Sequence, residues 1–332
     1  MKSLTICFIL VFSLSFSPAH TADVHPVYRK VDHIIWVVRD LKSVQKGWMD
    51  IGFTEIERLS NPKLTSHGLR DEKVKIRAAM AHLGGARALW VESLAGESIF
   101  SRYLDNHGEG ALALIHRVRD KAELHEVTQE LARANIGKIA TYTLQTRTGA
   151  MHYTIMDTRD KGKYYLGFVI DERSDIKNGE GQNLQNLHFS QYAFAISDER
   201  PVSEFWTSAG FTPLQITHGA ITDKEYFGQK ADFDMKLGWQ RFGAVVYEWI
   251  IPLKPPTVYA DHIRMHGEGI QHFGFDVADM DTALDFFERK GYKVSMSGGW
   301  GERAKPGSGR FAYIDLSKLG GMTIELLWNY KE

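Results

Sequence analysis

One local grammar occurs four times along the 332 residues, and a repeat restricts the possible folds before any single side chain does. Each copy has an alternating apolar strand closed by Asp, a short amphipathic helix, a turn, and then more strand-like runs. The first reads Val31-Asp32-His33-Ile34-Ile35-Trp36-Val37-Val38-Arg39-Asp40, and its helix reaches Gly52-Phe53. The fourth reads Gln271-His272-Phe273-Gly274-Phe275-Asp276-Val277-Ala278-Asp279 and reaches Gly291-Tyr292. The third runs from Gln191 to Asp198, with a helix to Gly210-Phe211. In these three copies Asp and Gly stand 12 residues apart. Asp suits an N-cap and Gly the left-handed residue past a helix end, so both stop signals are present. Ala283, Leu284 and Phe287 give the fourth helix its core-facing stripe. The second copy runs from Ala113 to Asp120, and its longer helix ends near Asn135, a residue type that can also take the left-handed cap conformation. The expectation is an α+β fold of four βαβββ modules.

A second level of repetition groups the modules in twos. His107-Gly108-Glu109-Gly110 precedes module two, and His266-Gly267-Glu268-Gly269 precedes module four. The recurrence predicts a duplicated two-module unit. The N-terminal domain is expected over 28–170, the C-terminal one over 186–330, and a polar stretch, 171–185, divides them. The glycines of both tetrapeptides read as turn residues.

Aligning on the strand-ending Asp and stepping back seven residues gives His33, Ala113, Gln191 and His272. Late strands carry a second special position: Glu92 in Leu89-Trp90-Val91-Glu92, Glu248 in Tyr247-Glu248-Trp249, and Glu325 in Ile324-Glu325-Leu326. Separations from the first position are 59, 57 and 53. In module two, Asp157 matches Asp315, which puts Gly167 at the place of Glu325. Three modules thus read as keeping both positions and module two as having lost both. A carboxylate buried among valines and leucines costs several kcal/mol unless something supplies positive charge. A divalent cation does so. The other reading is that each His or Glu is a polar end on a half-exposed strand.

Composition narrows the rest. Net charge is −1, with no basic block, so neither nucleic acid nor an anionic membrane surface is an expected partner. Lys2, the apolar run 4–16 and Ser17-Pro18-Ala19, with Ala22 as a second end point, follow the order of a secretory signal peptide. A run of 13 residues is too short to span a bilayer, which takes about 20. Residues 1–22 are therefore expected to be removed and the protein exported, with no membrane attachment afterwards. Cys7, the only cysteine, leaves with that segment. The mature chain then has no disulfide, and any metal is held by nitrogen and oxygen. That donor set suits Zn, Fe, Ni, Co or Mn.

At these residues the chain resembles the vicinal-oxygen-chelate superfamily, which includes glyoxalases, bleomycin-resistance proteins and extradiol dioxygenases. The run Tyr247-Glu248, a Pro-containing linker and His266 to Phe273 is most similar to the methylmalonyl-CoA-epimerase-like branch. Gly309-Arg310-Phe311-Ala312-Tyr313-Ile314-Asp315 leading to Thr323-Ile324-Glu325-Leu326 is similar to it as well. The resemblance covers residues 30–329 and implies paired modules forming two curved, cup-shaped mixed sheets. It also implies one divalent metal held by the first and last strands of two modules. Pairing modules three and four gives Gln191, Glu248, His272 and Glu325, the preferred set. Pairing one with four gives His33, Glu92, His272 and Glu325. Gln in first position departs from the commoner His.

The resemblance implies a metal-dependent lyase or isomerase on a small oxygenated substrate, acting through an enolate-type intermediate with Glu325 or Glu248 as base. Coenzyme A thioesters are cytosolic, so export argues against a true epimerase of that class. Two alternatives stay open. One is a non-catalytic small-molecule binder of the same fold. The other is an iron-dependent extradiol-type dioxygenase, which would need His188 brought round by a bulge. The loop 297–309, with Arg303 and Lys305, reads as a pocket rim or a solvated loop. Monomer and homodimer are both compatible with the sequence.

Overall fold

The computed structural model describes residues 24–330 apart from 60–61, 68–73, 175–180, 182 and 184. The expected signal segment, 1–22, and most of the interdomain stretch lie outside the described residues. Strands and helices come in the predicted order. The four Asp residues are the N-caps of helices Leu41–Asp50, Lys121–Arg133, Glu199–Ser208 and Met280–Arg289. Each carboxylate accepts a backbone N–H of the first turn, which satisfies groups a helix start would leave unpaired. Gly52, Gly210 and Gly291 have positive φ just past three of these helices, and Asn135 does so past the other.

The strands form two sheets. In spatial order the first holds Ile56–Arg58, Lys75–Leu83, Ala86–Ala95, His33–Val38, Gly110–Arg117, Tyr165–Asp171, Ala150–Met156, Lys138–Gln145 and Lys63–His67. The second holds Gln215–Thr217, Asp234–Phe242, Val245–Lys254, His188–Ala195, Gly269–Asp276, Met322–Asn329, Gly309–Leu316, Val294–Trp300, Ile221–Tyr226 and Gln229–Lys230. Within each module the first strand runs parallel to the last, and the two first strands of a pair meet antiparallel at the centre. Module one therefore pairs with two, and three with four.

Each curved sheet has two apolar faces. The outer faces and their helices share one core that draws on both halves, with Trp36 against Phe273 and Tyr164 stacked on Trp206. Buried indoles in this core also donate across it: Trp36 Nε1 to Gly320 O at 2.7 Å and Trp206 Nε1 to Gly162 O at 3.2 Å. The two sheets are thus packed back to back. The inner faces are separate cups. The N-terminal cup is filled by its own side chains and by Ile99, Phe100 and Tyr103 of helix Ile99–His107. The C-terminal cup takes Val258 and Tyr259 of the matching helix, Val258–His266. Among the described residues no helix is long and apolar enough to cross a membrane.

Candidate metal centre

The four central strands of the second sheet each send one polar side chain into its cup. Gln191 comes from His188–Ala195, Glu248 from Val245–Lys254, His272 from Gly269–Asp276 and Glu325 from Met322–Asn329. All four are buried. Gln191 Nε2 donates to Glu248 Oε2 at 2.7 Å and to Glu325 Oε2 at 3.0 Å. His272 Nε2 lies 3.2 Å from Glu325 Oε2 and 3.6 Å from Glu248 Oε2. Ligand atoms of Glu248, His272 and Glu325 all fall within 4.8 Å of one another. Among the described residues no other group of His, Cys, Asp and Glu converges in this way.

Local backbone features make the convergence possible. Ala193 pairs with His272 and Phe194 with Ile270, so Gln271 is the extra residue of a β-bulge. Gln271, next to His272, is buried with it, and Gln271 Oε1 accepts from His272 Nδ1 at 2.6 Å. That bond turns Nε2 toward the carboxylates, as a hydrogen bond to the far ring nitrogen orients a ligating imidazole. Gly274 supplies room: a Cβ there would come within 2.6 Å of Gln191 Cγ.

Electrostatics favour a cation. Burial and the nearby Glu325 push the Glu248 carboxyl up to about 7. For His272 burial works downward, but Glu248 and Glu325 outweigh it and raise the imidazole to about 9. Two carboxylates sharing one amide hydrogen bond donor in a dry site form an anionic nest that a divalent ion neutralises. Two carboxylate oxygens, one imidazole and an amide that offers Oε1 once flipped make an N/O donor set without sulfur, so the residues fit such an ion.

The N-terminal half corrects the reading of Glu92. Ala193 faces Glu248, whereas the matching Ile35 faces Leu89. Leu89, not Glu92, is therefore the counterpart of Glu248. Glu92 stands three residues on, on the opposite face beside Trp90, and accepts from Arg77 Nη1 at 3.0 and 3.2 Å. His33 does point into the cup, but it does not meet Glu92. Its Nδ1 donates to Asp32 at 2.7 Å, and its Nε2 takes the Tyr153 hydroxyl at 3.0 Å. The last two places are Ala113 and Gly167. Ile115 stands where Gly274 stands in the other half, and a Cβ on Gly167 would come within 2.5 Å of its Cδ1. The sequence held a signal for the correct register: Trp90 and Trp249 follow Leu89 and Glu248.

A bulge at Ser190 does lie in the first strand of module three, yet His188 stays exposed at the strand end, outside the converging group. Ser297 to Trp300 is strand, and Arg303 and Lys305 are exposed in the turn that follows. Residue-by-residue reading missed Tyr313, whose hydroxyl donates to Glu325 Oε1 at 2.6 Å, and Tyr259, which donates to Tyr313 at 2.7 Å. The alternation of Phe311 and Tyr313 toward the cup was the available sign.

Residues 190–313 match the model of the Glyoxalase/Bleomycin resistance protein/Dioxygenase superfamily. No curated protein matches the sequence. Among solved structures, a triple mutant of 4-hydroxymandelate synthase from Streptomyces coelicolor is similar over 91% of this chain and 92% of that one, with TM-score 0.60 and 13% identity. A Mn(II)-bound glyoxalase from Novosphingobium aromaticivorans aligns over 92% and 83%, with TM-score 0.49 and 13% identity. At such identities the likeness is one of fold. Residues 190–313 thus carry the sequence pattern of the glyoxalase/bleomycin resistance protein/dioxygenase superfamily, and the chain as a whole has the paired βαβββ fold that it shares with the 4-hydroxymandelate synthase, the vicinal-oxygen-chelate fold.

Proposed function

We propose that this chain is an exported, metal-dependent lyase or isomerase that moves a proton next to a carbonyl in a small oxygenated substrate. The observation that carries the reading is the convergence of Gln191, Glu248, His272 and Glu325 in one buried cup. A divalent ion bound there supplies Lewis acidity, stabilising negative charge on the substrate oxygen. His272, oriented by Gln271, and the Gln191 amide hold the polar end of the site. A carboxylate, Glu248 or Glu325, takes the proton from carbon and returns it to the neighbouring atom. The surrounding Ala193, Ile250 and Phe311 keep bulk water from competing for that proton.

The dioxygenase alternative is weakened by the donor set, which has one histidine where an extradiol iron site uses two. The binder alternative is separated by chemistry. Untagged protein is assayed for metal by mass spectrometry, then incubated in D2O with a panel of α-hydroxycarbonyl compounds. About one metal per chain and deuterium uptake at carbon are expected. Metal-free protein that exchanges no substrate proton overturns the proposal. Export is tested separately, by intact mass from the native host. Loss of the first 19 to 22 residues is expected, and a retained Met1 or Lys2 contradicts it.

A further inference from the structure

We infer that Tyr313, backed by Tyr259, is a positioning residue that fixes Glu325 as the held carboxylate of the site, with Oε2 facing the metal position and Oε1 turned away. The inference rests on the metal-dependent reading above and deepens it. Glu325 Oε1 accepts from the Tyr313 hydroxyl at 2.6 Å, a bond that a flip of the Gln191 amide leaves intact, whereas Oε2 accepts from the Gln191 Nε2 at 3.0 Å only in the present amide orientation. The Tyr313 oxygen in turn accepts from Tyr259 at 2.7 Å. Tyr313 faces Glu325 directly across neighbouring strands, while Tyr259 arrives from helix Val258–His266, so a strand and a helix act in series on one carboxylate oxygen. The Tyr313 ring is also wedged edge-on against His272, at 4.9 Å, and against Tyr259, at 5.5 Å. All three rings are buried.

The N-terminal half acts as an internal control. Tyr313 faces Glu325, and at the matching ladder position Ile155 faces Gly167. Tyr259 is the second residue of its helix, and Phe100 is the second residue of helix Ile99–His107. Where the carboxylate is missing, both hydroxyls are missing too, although the rest of each cup is built to the same plan. A role limited to packing would not require the three to be present or absent together. Glu248 has no such tyrosine: it accepts from Gln191 at 2.7 Å and lies 3.6 Å from His272 Nε2. The two carboxylates are therefore unequal: Glu325 has a tyrosine hydroxyl on the oxygen that faces away from the converging group, and Glu248 does not.

The test uses full-length mature protein, titrated with Co(II) and followed by visible absorption, with circular dichroism to confirm folding. Tyr313→Phe is expected to bind Co(II) about 10- to 100-fold more weakly, the usual effect of losing a group that orients a ligand. Its ligand-field bands are expected to shift as Glu325 turns its second oxygen toward the metal. Tyr259→Phe is expected to move both readouts in the same direction by less. Tyr142→Phe, which removes a buried hydroxyl from the N-terminal cup, should change neither. Folded Tyr313→Phe with wild-type affinity and spectrum overturns the inference and leaves the functional reading standing. Wild-type protein that takes up no Co(II) overturns both.

Discussion

The imidazole of His107 hydrogen-bonds the carbonyl of His266 at 2.9 Å, and the imidazole of His266 returns the bond to the carbonyl of His107 at 2.7 Å. The repeated His-Gly-Glu-Gly is thus a clasp across the internal two-fold relation between the halves. Gly108 and Gly267 have φ of 76° and 78°, which lets the chain leave each helix and enter the next strand. Glu109 and Glu268 each accept a backbone N–H, from Arg39 and Ser197, beside the N-cap of the same half.

His107→Ala and His266→Ala are each expected to cost roughly 1–3 kcal/mol, because each leaves a partly buried carbonyl short of its donor. The double variant should cost less than the sum, since the bonds share one interface. Urea unfolding of the four proteins measures both. Strict additivity would mean that the two bonds do not act as one clasp.

Glu248→Ala removes a carboxylate from a dry site and is expected to lower metal affinity at least a hundredfold, since Coulomb terms are large there. Glu92→Ala is expected to leave the metal untouched. It frees a half-exposed Arg77, so the stability change should stay near or below about 1 kcal/mol. Isothermal titration with Zn(II) or Mn(II) compares the two variants. The opposite outcome would mean that Glu248 is not a ligand and that the assigned site is wrong.

Metal content is expected to be one ion per chain. The first cup offers His33, Leu89, Ala113 and Gly167 at the four positions, and Ile115 occupies the room a carboxylate would need. His33→Ala should therefore keep the metal while losing stability, because Asp32 and Tyr153 both lose their shared partner. Mass spectrometry of the metal and thermal unfolding check the two halves of this statement.

A pH prediction follows from His116, fully buried, with Nδ1 donating to Lys30 O at 2.8 Å. Burial holds its imidazole down, to about 4 against an ordinary 6.5. Between those values the unfolded chain binds the extra proton and the folded chain does not. Its contribution is therefore complete above pH 6.5 and is lost as pH falls through about 4, a difference of roughly 3 kcal/mol. His116→Gln keeps an amide donor for Lys30 O but cannot titrate. Its stability should fall less than wild type between pH 6.5 and 4. Equal slopes in denaturant titrations would contradict the assignment.

Much of the architecture was legible because it depends on neighbours in sequence. N-cap Asp, left-handed Gly or Asn, strand alternation and the repeated tetrapeptide all act within a dozen residues, and the four helices begin and end where these signals stand. Gln191, Glu248, His272 and Glu325 stood out for a related reason: each is a polar residue inside an otherwise apolar strand, a cost that only a partner or an ion offsets. What tertiary structure alone decided is which of these residues meet. Glu92 satisfied the same compositional test as Glu248, but strand register, set by hydrogen bonds to Val38 rather than to Ile35, put it on the other face. A shift of an odd number of residues exchanges the two faces of a strand, and the count of residues from His33 did not reveal it, although the Trp that follows both Leu89 and Glu248 carried the register. The bulge at Gln271 and the reach of Tyr259 from its helix to Tyr313 are likewise long-range, because they depend on pairings between segments that only the folded sheet brings into contact.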